Sequence, residues 1–194
     1  SILDTNIYNK HNTIFLQNHG VIYHSDNLDT IYKLIETSNK IAENYLKLDL
    51  SKYKLVNEIT KLCNKITNIK NINYLTEDSI INNYLYSNIN IFRYPITFPD
   101  ALIYCGFNIL IIDKLDFSDI NNYYLLYNEL PKIIILDNNI YINSISLNKC
   151  KEIEAVLKAN LLILDNENKR KFLSHDEIQE LNNWDAEKYR KNLL

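Results

Sequence analysis

Apolar positions along this chain alternate between two spacings. Thr13–Leu16 and Val21–Tyr23 are short runs of branched and aromatic residues around an Asn18-His19-Gly20 turn, and they read as two strands. Ser25-Asp26-Asn27 then offers N-cap residues. Beyond it Leu28, Ile31, Leu34, Ile35, Ile41, Ala42, Tyr45 and Leu46 recur at the spacing of a long helix with one buried stripe. A break at Asp49-Leu50-Ser51 precedes a second amphipathic helix carrying Leu55, Val56, Ile59, Leu62, Cys63, Ile66 and Ile69. Asn71–Asn90 is expected to be helical in part, with Thr76 as its N-cap. Tyr94-Pro95 and Phe98-Pro99-Asp100 punctuate the chain and mark an expected seam between two halves, residues 1–93 and 94–194.

In the second half Ala101–Cys105 and Ile109–Ile112 read as short buried strands around Gly106, and Asn121–Leu130 is ambiguous. Lys132–Leu136 and Ile140–Ile142 read as strands around an Asp137-Asn138-Asn139 turn. Ser146 caps a helix carrying Leu147, Cys150, Ile153, Val156, Leu157 and Leu161. Ser174-His175-Asp176-Glu177 matches the capping-box pattern and opens a last helix with Ile178, Leu181, Trp184 and Tyr189. The fold class is therefore α/β, with two similar strand-turn-strand-helix units. An ungapped shift of 119 positions pairs Phe15 with Ile134, Leu16 with Ile135, Asn18 with Asp137, Val21 with Ile140 and Leu28 with Leu147. In that pairing His19 meets Asn138, so chemistry at the turn belongs to the first unit alone.

Composition narrows the function classes. Apolar residues make up 46% of the chain and the formal charge is −3, so it folds rather than staying disordered. There is no basic run interleaved with aromatics, which argues against nucleic acid as a partner. No apolar stretch approaches the ~18 residues of a spanning helix, and no charged leader with an apolar core opens the chain. Cys63, Cys105 and Cys150 are odd in number and far apart, as expected of buried thiols in a cytoplasmic protein. Abundant Asn, Ile, Lys and Tyr reflect an AT-rich coding bias.

Two glycines rule out phosphate-cradling loops. One of them, Gly20, follows His19 at the end of an apolar strand, where a backbone with positive φ or a ligand-facing corner is expected. The competing reading is a core hairpin whose histidine caps a backbone group. His11 and His24 read as surface or strand-end residues, and His175 as a solvated first-turn residue. Asp113, Asp116 and Asp119 read as a solvated helix start or loop before a metal site, Arg93 as structural before phosphate-binding, and Cys105 as a buried thiol. Trp184 and Tyr189 form a docking stripe.

Phe15-Leu16-Gln17-Asn18-His19-Gly20-Val21 and the helix running to Leu46 resemble the end of the catalytic domain of the class II aldolase/adducin superfamily. Phe98 to Gly106, Phe172 to Glu177, and Asn183-Trp184-Asp185-Ala186-Glu187-Lys188-Tyr189-Arg190 resemble later parts of longer bacterial members. The resemblance implies a layered α/β/α fold and a divalent metal, usually zinc, held by three histidines. That metal polarises the carbonyl of a ketose phosphate or related keto-sugar during C–C cleavage. His19 matches the third of those ligands.

The superfamily's His-x-His pair and catalytic glutamate lie upstream of this turn, and no two histidines here are separated by one residue. No catalytic or cofactor-binding residue is assigned beyond His19 as metal ligand. The chain is expected to be the later portion of a longer aldolase-like protein, the absence of Met favouring this over a subunit completed by another polypeptide. The expected function is a cytoplasmic sugar or sugar-phosphate lyase, or a related epimerase, with homo-oligomerisation by analogy. The alternatives are an adducin-like assembly module that lost the site and an unrelated structural α/β domain.

Overall fold

A computed structural model describes residues 12–67, 69–166 and 171–185. The chain is mixed α/β and divides into two compact units, Ser1–Leu50 and Ser51–Leu194. The seam expected after Arg93 thus falls inside the second unit. Among the described residues no helix is long and apolar enough to cross a membrane.

The first unit is a hairpin and a helix. Strands β1 (Thr13–Leu16) and β2 (Gly20–Tyr23) pair antiparallel, with Thr13 opposite Tyr23 and Leu16 opposite Gly20. Helix α1 (Leu28–Leu46) starts where the Asn27 side chain accepts from the N–H groups of Asp29 (2.8 Å) and Thr30 (3.4 Å). It ends at Lys47 in the left-handed region, whose N–H bonds the Asn44 carbonyl.

The second unit begins with α2 (Ser51–Ile66) and centres on a four-stranded sheet of order β3-β6-β5-β4. Strands β3 (Ile72–Leu75), β5 (Ile133–Leu136) and β6 (Asn139–Ser144) pair antiparallel, while β4 (Leu110–Ile112) runs parallel to β5. Every residue of β5 is buried, which explains its unbroken Ile-Ile-Ile-Leu run. Ile134, Leu136 and Tyr141 pack with Ile59 and Cys63 of α2 and Ile120 of α5 (Phe117–Tyr127). Ile133, Ile135, Ile140 and Ile142 pack the other way, against α3 (Ser79–Ser87), a 3-10 turn (Ile89–Arg93) and α6 (Leu147–Asp165). The outer edge of β3 is closed by α2 side chains: Asn64 Oδ1 accepts from Asn71 N–H (2.7 Å) and Thr60 Oγ1 from Asn73 N–H (3.1 Å).

Two expectations are corrected. Ala101–Cys105 is not a strand but most of helix α4 (Pro99–Cys105), four of whose residues are buried. A short apolar run carries no period of its own. Pro99 at the first helical position, Asp100 in the first turn and Gly106 at the end (φ +80, N–H to Leu102 carbonyl 3.1 Å) decide it. Asn71–Asn90 is helical in part, as expected, through α3, and Ile72–Leu75 before it is a strand with alternating burial. Asp78, not Thr76, caps α3, accepting from Ile80 and Ile81 N–H. The capping box at Ser174 and Glu177 opens α7 (His175–Asn183) as expected, and Ile178 and Leu181 dock on Ala101 and Leu102 of α4.

Both strand-turn-strand-helix units are present. Gly20 corresponds to Asn139, Asn27 to Ser146 as N-cap, and α1 from 28 to 46 to α6 from 147 to 165. The strand before the turn departs from the ungapped shift: Leu16 matches Leu136 rather than Ile135, since each pairs with the residue opening the second strand. The first turn has three residues, Gln17 to His19, and the second two, Asp137 and Asn138, both at positive φ.

Gly106 supplies a local test. A Cβ there would meet Glu129 Oε1 at 3.1 Å in a backbone region that L side chains rarely adopt. Gly106→Ala is expected to destabilise the second unit by roughly 1–3 kcal/mol, read as a lowered urea midpoint.

Candidate functional site at the hairpin corner

The Leu16 carbonyl accepts from His19 N–H at 3.2 Å and closes the corner. Asn18 takes φ +59, which asparagine tolerates, and Gly20 takes φ +136. Nothing lies within 4 Å of a Cβ built on Gly20, so glycine is required there by conformation and not by space. The His19 ring is exposed, with Nδ1 3.0 Å from the Gln17 carbonyl oxygen. A carbonyl only accepts, so in the neutral imidazole Nδ1 carries the proton and Nε2 the lone pair. A ring whose one nitrogen donates to a backbone carbonyl while the other stays open is the arrangement that orients metal-bound histidines.

The other expected residues do not join it in a ligand set. Among the described residues no three His, Cys, Asp or Glu gather into a metal-holding group. His24 is half-buried past the end of β2, and His175 opens α7 with Nε2 2.9 Å from Gln179 Nε2. His11 and Tyr189 lie outside the described residues. The described residues alone do not complete a zinc site around His19.

Asp116 is the N-cap of α5, accepting from Ser118 N–H (2.8 Å) and hydroxyl (2.9 Å), which hold its carboxyl below the usual range. The acidic cluster is thus a helix start. Cys105 is fully shielded and burial pushes its thiol up to about 12, which leaves it inert as a nucleophile. Burial raises Cys63 and Cys150 as well, each to about 11. Arg93 ends the 3-10 turn, exposed, and Trp184 ends α7 with 60% of its surface exposed.

A polar row that the sequence reading missed joins α6 to the segment after β3. Lys151 Nζ donates to Tyr74 and, at 3.0 Å, to Glu154. Thr76 donates to the other oxygen of the buried Glu154, and Lys158 pairs with Asp78 at 2.7 Å. Charged residues at 151, 154 and 158, at helical spacing on one face of α6, were its only sequence signal. The row is fully paired and reads as a fastening of α3 to α6 rather than as chemistry.

It also predicts a pH effect. Burial works to raise the Asp78 carboxyl, but the Lys158 ammonium and the Ile81 and Ile80 N–H groups outweigh it and hold it below the usual value. A depressed folded pKa gives stability that is complete above the unfolded value of ~3.9 and is lost as pH falls through the folded one. Asp78→Asn keeps the cap and removes the ion pair. It is expected to cost about 1 kcal/mol at pH 7 and less at pH 3, by urea denaturation at both.

Comparison with protein-family models, with curated proteins and with solved structures finds no match.

Proposed function

We propose that this chain is part of a class II aldolase-type, metal-dependent carbon–carbon lyase, or a related epimerase, acting on a sugar or sugar phosphate in the cytoplasm. On this reading the fold is the layered α/β/α arrangement of that class, the first unit carries the functional corner, and the second is a degenerate copy with Asn138 at the histidine's place. The observation that carries it is the His19 ring, exposed at a strand end and oriented through Nδ1 by the Gln17 carbonyl. The bound zinc supplies Lewis-acid polarisation of the substrate carbonyl. His19 presents its Nε2 lone pair, the Gln17 carbonyl holds the tautomer, and Gly20 keeps the backbone at φ +136. The remaining ligands come from an N-terminal portion of the same protein or from a partner subunit, including another copy in a homo-oligomer.

Metal content tests this directly. The polypeptide extended upstream through its own reading frame should carry about one zinc per chain and cleave a ketose phosphate. If that extended protein holds no divalent metal and cleaves no member of a ketose-phosphate panel, the lyase reading is lost. An adducin-like assembly module then takes its place, a reading favoured by the second unit, which keeps the hairpin and helix without the histidine.

A further inference from the structure

The second unit displays the surroundings in which a hairpin-and-helix of this kind is embedded. One edge of its hairpin pairs antiparallel with β3, where Ile140 also accepts from Thr76 N–H at 3.0 Å, and the other runs parallel to β4. The first unit has the same hairpin, yet among the described residues its two strands form a sheet of their own. His24 N–H bonds the Asn12 carbonyl (3.1 Å), and pairing alternates along a hairpin, so the peptide groups of Thr13, Phe15, Val21 and Tyr23 face outward. Those positions match Ile133, Ile135, Ile140 and Ile142, whose peptide groups face β4 and β3. A two-stranded hairpin is marginal by itself.

The helix makes the same point through its side chains. Buried positions of α6 include Cys150, Ile153, Asn160, Leu161 and Leu164. Their counterparts on α1 are Ile31, Leu34, Ile41, Ala42 and Tyr45, while the buried Glu154 and Leu157 match Ile35 and Ser38, and no residue of α1 is buried. On α6, Leu161 and Leu164 pack in one cluster with residues of α3 and the 3-10 turn, and Asn160 accepts from the Thr97 hydroxyl at 2.5 Å. On α1, Ile41 is 64% and Tyr45 86% exposed. Six of the seven counterparts are apolar, so most of the stripe suits a covering like that of α6.

We propose that β1 and β2 are the central pair of a four-stranded sheet completed by polypeptide that precedes them in the same chain. One added strand lies antiparallel to β2, another parallel to β1, and the helices between them seat on Ile41, Ala42 and Tyr45. The order follows the second unit, where the elements that flank and cover the hairpin, from α2 to α5, precede β5. In the second unit β3 and β4 both end beside the turn, Leu75 pairing with Tyr141 and Ile112 with Leu136. By the same geometry the segments leaving the two added strands flank His19. The inference rests on the repeat and not on the lyase reading, so either fails alone.

Hydrogen exchange on the 194-residue chain and on the polypeptide extended upstream through its own reading frame tests it. In the extended protein, amides of β1, β2 and the last two turns of α1 should exchange at least about 100-fold more slowly. Ile41→Asp and Tyr45→Asp should each reverse that protection while β5 and β6 keep theirs. Tyr32→Asp, at the counterpart of the half-exposed Lys151, should leave it intact. Equal protection already present in the 194-residue chain overturns the proposal, as does no gain on extension. An in-frame stop directly upstream, or protection that needs a separately added polypeptide, overturns it too.

Discussion

On the lyase reading, His19→Ala in the polypeptide extended upstream is expected to lower zinc affinity by at least about 100-fold and cleavage activity with it. Disturbing a partner of a metal ligand already costs about 10–100-fold, and loss of the ligand itself costs no less. The variant should leave folding intact, because the ring is exposed and its one hydrogen bond is to the local Gln17 carbonyl. Competition titration with a zinc chelator reads the affinity, and urea denaturation of the same samples separates site loss from unfolding. His19→Gln gives a further check, since an amide keeps polarity but is a poor zinc ligand, and it should behave as the alanine variant does. Unchanged zinc affinity in both variants removes His19 from the site.

The second large effect concerns the asymmetry between equivalent helices. Ile153 of α6 is completely buried among Ile133, Ile135, Leu157 and Ile142, and Ile153→Ala is expected to destabilise the second unit by roughly 2–5 kcal/mol. The loss combines transfer of the missing methyls with the cavity left in a sheet-and-helix interface that cannot collapse. Leu34 holds the matching position on α1 and is only half-buried. Leu34→Ala in the 194-residue chain is expected to cost less than about 1 kcal/mol. Urea denaturation of both variants, followed by hydrogen exchange to assign each transition to its unit, checks the contrast. Equal losses would show that the two helices are equally embedded.

The candidate site was half legible. A histidine beside one of two glycines, at the end of an apolar run, marked the corner from sequence, because positive φ restricts what a turn can hold. The Gln17 carbonyl that orients the ring carries no sequence signal, since every residue has a carbonyl. The three-residue length of the first turn was also hidden. An ungapped alignment matches apolar residues to apolar residues whether or not one is inserted, and only the pairing of Leu16 with Gly20 and Leu136 with Asn139 exposes it.

Elements with a long period or a strong cap were determined by the sequence alone: both hairpins, α1, α6 and the capped start of α7. Their signals are local, in side-chain spacing and in the polar groups that satisfy free N–H groups at helix starts. Tertiary structure decided the short apolar segments. Ala101–Cys105 became a helix and Ile72–Leu75 a strand, because four or five apolar residues suit either form until a neighbouring surface selects one. It also decided that Glu154 is buried against Thr76 and that the same hairpin-and-helix lies embedded in one unit and uncovered in the other. Burial is a relation between distant segments, and no window of sequence contains both partners.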